Sequence, residues 1–382
     1  MFPVSTSLIP INVALAKFIE SHGFGGNYPF WYLGVVPVKY LMGPVVPWVL
    51  ILLHKLLPSS SFFDLSFLLL IASYLLQVIG WGKFAQIASG SKKIGVLVGI
   101  LILFLPGHIV WDLAFGEVSK ILAQSLVPWI LVFWFKDYAK NIKKIAYFRS
   151  IILCLLAFLI NSEIGIVVGV GLLSASLTLD KRWERAIKRI VLVLLSGLAL
   201  STLWYGPSYY LVQLGAPSFG GKAVWKVFIE LIGLARTLLP AVLVALLVVW
   251  KVKPKTNLAK FTMIWLGTFL TLTLLRMLSD IDFWLDWTAW VNEMEVGVAL
   301  ALCCLASIKK RSTNLLDNSI AQSSSRLSLR QHRTLKEISS FIQNWLRQIF
   351  DWMQGNRART IFYLIFSTYL IGGWFFAWQA KG

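Results

Sequence analysis

Apolar runs separated by short polar segments follow one another along most of the chain. Such runs predict helices that cross a membrane, because about 20 mainly apolar residues in a helix span the hydrocarbon of a bilayer. The runs that we interpret as crossing helices are Phe62–Gly80, Ile94–Leu105, Ile121–Phe135, Val191–Tyr205, Phe228–Trp250, Phe261–Leu278, Val296–Ile308 and Thr360–Trp378. The predicted fold is therefore all-α, a polytopic integral membrane helical bundle with about ten membrane segments, some of them short hairpin helices.

The apolar run Ile151–Thr178 lies between two strongly basic segments, Lys136–Arg149 and Lys181–Arg189. A single crossing would place one of these segments outside, against the tendency of Lys and Arg to stay on the cytoplasmic side. A helical hairpin that turns at Asn161–Glu163 keeps both segments inside. We therefore predict two short helices of about 14 residues each, which suit packing within a bundle.

Composition agrees with a membrane protein. The chain is 58% hydrophobic and only 14% charged, with a mean hydropathy of +0.73, whereas soluble domains keep about a quarter of their residues charged. A net charge of +19 would suggest a nucleic-acid partner in a soluble protein. Here the basic residues lie between apolar runs, as in a positive-inside topology, so no nucleic acid is expected.

Four regions follow from this pattern: residues 1–61, 62–308, 309–359 and 360–382. The first is an outer segment in which Leu41–Leu57 is re-entrant or lies at the surface, because Pro44 and Pro47 interrupt it. The second is the transmembrane core, and the last is a final transmembrane helix. The third is a cytoplasmic linker followed by Leu335–Met353, whose one-sided apolar stripe predicts an interfacial helix on anionic membrane lipids. A calmodulin-target helix would show the same stripe.

The polar segment Pro106–Lys120 interrupts two apolar runs and carries His108, Asp112 and Glu117. Carboxylates this close to a bilayer cost free energy and mark functional positions. Asp112 and His108 are four residues apart and would share one helical face, which suits a metal ion or a phosphate-bound cation. The alternative is that Asp112 and Glu117 are solvated loop charges.

Other charged residues lie in or beside apolar runs. Glu163 stands at the predicted hairpin turn, where it binds a ligand or caps a neighbouring helix. Arg236 and Arg276 lie inside apolar runs and need an anion, either a protein carboxylate or a ligand phosphate. The acidic segment Asp280–Glu295 is interpreted as a solvated rim. Its tryptophans are expected to anchor the membrane interface: Trp284, Trp287 and Trp290.

The chain contains four short motifs: Tyr28–Gly34 (YPFWYLG), Gly43-Pro44, Gly116-Glu117 and Leu126-Val127-Pro128. By these motifs and by the order of its segments, the chain resembles the GT-C superfamily of membrane glycosyltransferases. The likeness is greatest to bacterial membrane proteins known as 6-pyruvoyl-tetrahydropterin-synthase-related, and it covers about Gly25–Arg311. In that superfamily a lipid-phosphate-linked sugar is the donor, and transfer occurs on the outer face.

The resemblance implies a role for particular residues. Asp112 and Glu117 would be catalytic and would hold a divalent metal, Mg²⁺ or Mn²⁺, if one is used. Together with the charged residues singled out above, the candidate substrate-binding residues are His108, Glu163, Arg236, Arg276, Trp31 and Tyr32. The acidic residue of the family's first outer loop has no match, so we expect the chain to be N-terminally incomplete, either a fragment or an inactive form.

The expected function is a glycosyltransferase-like protein of the plasma membrane that uses a polyprenyl-phosphate-linked sugar. Two alternatives stay open: a transporter or flippase, and a non-catalytic membrane scaffold. The absence of an internal repeat in the sequence speaks against the transporter, because transporters are commonly built from repeats with broken helices at matching positions.

Overall fold

The structure is a computed structural model. It describes residues 9–23, 25–26, 44–109, 113, 116–139, 145–161, 164–179, 183–206, 254, 256–279 and 290–304. These residues all lie within one compact unit, Ser7–Ala306. Three predicted segments fall outside the described residues: Phe228–Trp250, Leu335–Met353 and Thr360–Trp378.

Every regular element in the described ranges is a helix, which confirms the predicted all-α membrane bundle. By length and apolar composition, α3, α5 and α8 can each cross a membrane. The helices are α1 (Ile9–His22), α2 (Val45–Leu56), α3 (Phe62–Ser89), α4 (Lys92–Leu103), α5 (Val118–Ala139), α6 (Ile145–Ile160), α7 (Gly165–Leu179), α8 (Trp183–Tyr205), α9 (Asn257–Ser279) and α10 (residues 291–304).

Two helices precede the first crossing helix. The helix α1, which the sequence pattern did not indicate, packs against α2 and α3. The helix α2 lies within the predicted segment Leu41–Leu57 and has 12 residues. At 1.5 Å per residue it is about 18 Å long, too short to cross about 30 Å of hydrocarbon alone. Its position relative to the membrane stays a prediction.

Helix α3 is longer than predicted. We expected a crossing helix over Phe62–Gly80 and a basic loop over Trp81–Lys93, but the helix runs for 28 residues. It begins at a capping box, in which the Ser61 hydroxyl accepts from the Asp64 amide at 3.1 Å. It ends at Gly90, whose φ of 72° suits glycine. The predicted loop was wrong because Lys83 is one charge among buried apolar residues: Trp81, Phe84, Ala85 and Ala88.

The predicted hairpin after α5 is confirmed. The Arg149 guanidinium, near the start of α6, lies 5.8 Å from the centroid of the Phe133 ring on α5. The indole of the next residue on α5, Trp134, donates to the hydroxyl of Ser176, near the end of α7, at 3.0 Å. The start of α6 and the end of α7 therefore lie beside the same end of α5. The chain therefore reverses direction between the end of α6 at Ile160 and the start of α7 at Gly165.

The interior of the bundle is built from aromatic side chains of α3, α5 and α9, together with Trp290 just before α10. Trp265 is completely buried, and its ring centroid lies 5.2 Å from that of Trp81 and 4.7 Å from that of Phe269. Edge-to-face and tilted aromatic pairs contribute about 0.5–1.5 kcal/mol each beyond their area. The further members of the row are Phe84, Phe135, Phe261 and Trp290.

Two glycines let α3 and α4 approach until their backbones touch. A Cβ atom on Gly95 would lie 2.7 Å from the carbonyl oxygen of Gly82 and 2.8 Å from the Cβ atom of Gln86. A Cβ atom on Gly82 would lie 2.9 Å from the Gly95 carbonyl oxygen. Small residues support such contacts in membranes, where association depends on packing because lipid is as apolar as leucine.

We expect Gly95→Ala to destabilise the protein by about 1–3 kcal/mol, because the added methyl must push two backbones apart. The matched control is Gly99→Ala on the same helix, where the nearest atom would be 3.7 Å away. That change should be neutral or slightly stabilising, since alanine favours helix by up to about 1 kcal/mol. Thermal unfolding of the purified protein in detergent measures both. Equal midpoints for the two variants would contradict the close approach.

Candidate functional site

The start of the central segment Pro106–Lys120 is held in place by the carboxylate of Glu295, which lies on α10. Residues 106–109 form a short helical turn. The Gly107 amide donates to both carboxylate oxygens of Glu295, at 3.1 and 3.0 Å. A Cβ atom here would lie 2.6 Å from a Glu295 oxygen, so any larger residue would displace the carboxylate from this position. The central segment and the end of the acidic segment therefore meet at one end of the bundle.

Helix α3 supports the same region from the other side. The Tyr74 hydroxyl donates to the carbonyl oxygens of Leu103 at 2.9 Å and Ile102 at 3.3 Å. These are terminal carbonyl groups of α4, which need partners from outside the helix. The Tyr74 ring also lies near the imidazole of His108, with 6.4 Å between the centroids. His108 is 1% exposed.

The predicted solvated rim is wrong at its C-terminal end. Glu293 and Glu295 are 4% and 7% exposed, and Trp290 is buried rather than placed at an interface. These residues are buried because α10 begins at residue 291, before the apolar run Val296–Ile308 from which we predicted the helix. Trp290 has a φ of 62°, a conformation that costs a bulky residue free energy. The remaining acids and tryptophans of the segment lie outside the described residues.

Glu293 joins three helices. Its carboxylate oxygen Oε1 accepts a hydrogen bond from Gln124 Nε2 of α5 at 2.9 Å. Its backbone carbonyl accepts from the indole nitrogen of Trp265 on α9 at 2.8 Å. A carboxylate in the interior of a helical membrane bundle is expensive and marks a functional position by default.

A small cavity lies beside Glu293. It is about 10 Å³, enough for one water molecule. Its polar lining comes from Gln77 of α3, Gln124 of α5, His108, and Asn292 and Glu293 of α10. Trp81, Trp265 and three valines form the apolar walls. The Oε1 atoms of Gln77 and Gln124 are buried and have no hydrogen-bond partner among the described residues.

The structure describes only some of the predicted site residues. His108 lies in the buried cluster, so contact with a sugar donor would require the central segment to open. Glu117 is half-buried and directly precedes α5. Arg276 lies on α9, and its side chain is outside the described set. The others lie outside it altogether: Asp112, Glu163, Arg236, Trp31 and Tyr32.

The predicted pairing of Asp112 with Glu117 around a metal ion therefore stays a prediction. The described side chains contain no group of three or more His, Cys, Asp or Glu residues that could hold a metal ion. Glu117 by itself offers an oxygen ligand, the kind that Mg²⁺ and Mn²⁺ prefer.

Sequence reasoning missed the buried cluster around Glu293. Gln77 and Gln124 lie inside the apolar runs Phe62–Gly80 and Ile121–Phe135. An uncharged amide in such a run is the available signal, because polar side chains in membrane helices usually bond between helices. Asn292 and Glu293 gave no such signal, since they lie in a segment whose several acidic residues are typical of a solvent-exposed loop.

No curated protein matches the chain. Residues 48–234, which run from α2 through the central segment and the helical hairpin to beyond α8, match the family model described as "6-pyruvoyl-tetrahydropterin synthase related domain; membrane protein". The match includes Gly116-Glu117 and Leu126-Val127-Pro128 but not Tyr28–Gly34 or α10. Over residues 48–234 this chain is therefore similar to the membrane-protein family that the sequence resemblance named.

Proposed function

We propose that this chain is a glycosyltransferase-like protein of the GT-C type in the plasma membrane, acting on a polyprenyl-phosphate-linked sugar. The observation that supports it best is the pair of hydrogen bonds between Gly107 and Glu295. They hold the segment that carries Asp112 and Glu117 at the end of the bundle where the acidic segment enters α10. In this proposal Glu117, which directly precedes α5, would thus lie at the outer end of the bundle.

In this proposal the basic and the acidic residues have separate roles. Arg236 and Arg276 hold the lipid phosphate, because guanidinium groups pair with phosphate oxygens in two-point contacts. Asp112 and Glu117 organise donor and acceptor, directly or through Mg²⁺ or Mn²⁺, which would supply Lewis-acid stabilisation. Trp31, Tyr32 and Glu163 bind the sugar, and His108 joins them when the central segment opens.

Replacing Asp112 with asparagine should lower transfer from a polyprenyl-phosphate sugar by about 10²–10³-fold, the effect of removing one electrostatic group from a transition state. Arg236→Gln should weaken donor binding. The measurement is transfer and donor binding by the purified protein in lipid. Glu184→Gln is the matched control, because Glu184 is an exposed carboxylate in the first turn of α8. Unchanged transfer and binding in both variants, with normal membrane insertion, would refute the proposal.

A second candidate is a transporter or flippase, and the buried polar cluster around Glu293 favours it. Polar side chains in a bundle interior are typical of substrate and ion pathways. Proteoliposomes that contain the protein distinguish the two. Movement of a lipid-linked sugar across the bilayer without bond cleavage supports a flippase, and transfer to an acceptor supports the enzyme.

A further inference from the structure

We propose that the starts of α4, α6 and α8 form a surface that binds anionic phospholipids. The headgroup phosphate lies at the basic side chains of this surface, and an acyl chain lies along the apolar side chains beside them. The inference does not rest on glycosyl transfer, because these residues take no part in the proposed reaction.

Contacts between side chains place the three helix starts at one end of the bundle. Phe84 near the end of α3 packs on Phe135 near the end of α5, with 5.2 Å between the ring centroids. The helix α4 begins directly after α3 ends. The start of α6 lies at the same end of α5, because Arg149 contacts the ring of Phe133. The end of α7 contacts Trp134 there, and the chain passes from that end to α8.

This end of the bundle carries more basic than acidic side chains. On α3 to α8 its described carboxylates are Asp137 and Glu184. Its described basic side chains are Lys83, Lys92, Lys93, Lys136, Arg149, Lys188 and Arg189. A Lys or Arg side chain at a membrane surface strengthens the attraction to anionic lipids about fivefold. The charge of this end therefore selects an anionic partner.

Exposed apolar side chains follow the exposed basic ones on the same helix faces. Residues three or four apart in a helix are neighbours on its surface. Each basic residue at the three helix starts therefore stands beside an apolar residue that is also exposed. These pairs are Lys92 with Val96, Lys93 with Leu97, Arg149 with Ile152, and Lys188 with Leu192.

The pairing of charge with apolar surface selects a lipid over a water-soluble anion. Lys and Arg lay their methylene groups along apolar surface and keep the charged group in water, at the level of the phosphate groups of a bilayer. The apolar faces continue away from the basic end, at Ile100 of α4 and Leu195 of α8, both of which are exposed. An acyl chain covers these faces, whereas a soluble anion would leave them uncovered.

The test is the thermal unfolding midpoint of the full chain, purified in an uncharged detergent, during titration with phosphatidylglycerol or phosphatidylcholine. A ligand that binds only the folded state raises the midpoint in a saturable way. We expect a saturable rise with phosphatidylglycerol and none with phosphatidylcholine, which carries the same acyl chains without a net charge. High salt should reduce the rise, because it screens exposed charges.

Lys93→Gln should raise the phosphatidylglycerol concentration at half-maximal response about fivefold. Lys17→Gln is the matched control, because Lys17 is an exposed lysine of α1 that lacks an apolar partner. Its neighbours on the same helix face, Glu20 and Ser21, are polar and exposed. This variant should respond like the unaltered protein.

Equal responses of the unaltered protein to the two lipids would overturn the inference, and this comparison does not depend on whether a variant folds. Equal weakening in Lys93→Gln and Lys17→Gln would overturn it too, because the attraction would then follow net charge alone. A rise of the same size with inorganic phosphate would show a site for a free anion and not for a lipid.

Discussion

Replacing Trp265 with alanine should destabilise the protein by about 3 kcal/mol, the largest effect that we expect from a single change. Trp265 is completely buried, stacks on Phe261, packs against Phe269 in a tilted arrangement, and donates to the Glu293 carbonyl at 2.8 Å. Core Trp→Ala changes cost about 3–5 kcal/mol in soluble proteins. We expect the lower end of this range, because an exposed tryptophan in a membrane protein contacts lipid instead of water. The substitution then loses mainly packing energy and little hydrophobic transfer energy.

The measurement is chemical or thermal unfolding of the purified protein in detergent. Trp48→Ala on α2 is the matched control, because that side chain is 57% exposed and its loss leaves no cavity. Trp265→Phe should fall between the two, since it keeps one aromatic ring in the core but loses the indole donor and part of the buried volume. If Trp265→Ala and Trp48→Ala unfold at the same midpoint, Trp265 does not hold the interior together.

The second large effect concerns the contact between Gly107 and Glu295. Glu295→Ala should cost about 1–3 kcal/mol, because it leaves the buried Gly107 amide without its acceptor. Gly107→Ala should cost a similar amount, because its methyl group would lie 2.6 Å from a carboxylate oxygen. In the double variant the truncated residue 295 leaves room for that methyl group.

We therefore expect strong non-additivity. The double variant should be about as stable as Glu295→Ala alone, which corresponds to a coupling on the order of 1 kcal/mol or more. Unfolding midpoints of the four proteins of the cycle measure this coupling. Glu184→Ala controls for the loss of a carboxylate and should change stability by less than about 0.5 kcal/mol, because Glu184 is exposed. Additive effects of the two changes would show that the contact is absent.

Local pattern determined much of the fold. The hairpin over α6 and α7 was predictable because basic segments on both sides of an apolar run leave only a return to the same side. The contacts of Arg149 with Phe133 and of Trp134 with Ser176 confirm it. The extension of α3 was not predictable from charge. Lys83, with the lysines that follow it, indicated a loop, and only the burial of the neighbouring side chains shows that the helix continues.

The buried polar cluster was decided by tertiary structure. Glu293 and Glu295 follow several acids and precede an apolar run, a pattern that fits a solvated rim as well as a buried helix start. The choice depends on Gln124 and Gly107, which lie 169 and 188 residues away from them in the chain. Only the packing of α10 against α5 and the central segment brings these partners within hydrogen-bond distance.

The sequence by itself thus determined that the chain forms a helical membrane bundle and where it reverses direction, because the apolar length of a helix and the side of its basic flanks are local properties. The tertiary structure decided which polar side chains are buried together. Whether a carboxylate such as Glu293 is solvated or enclosed depends on donors from other helices, and no local pattern of residues carries that information.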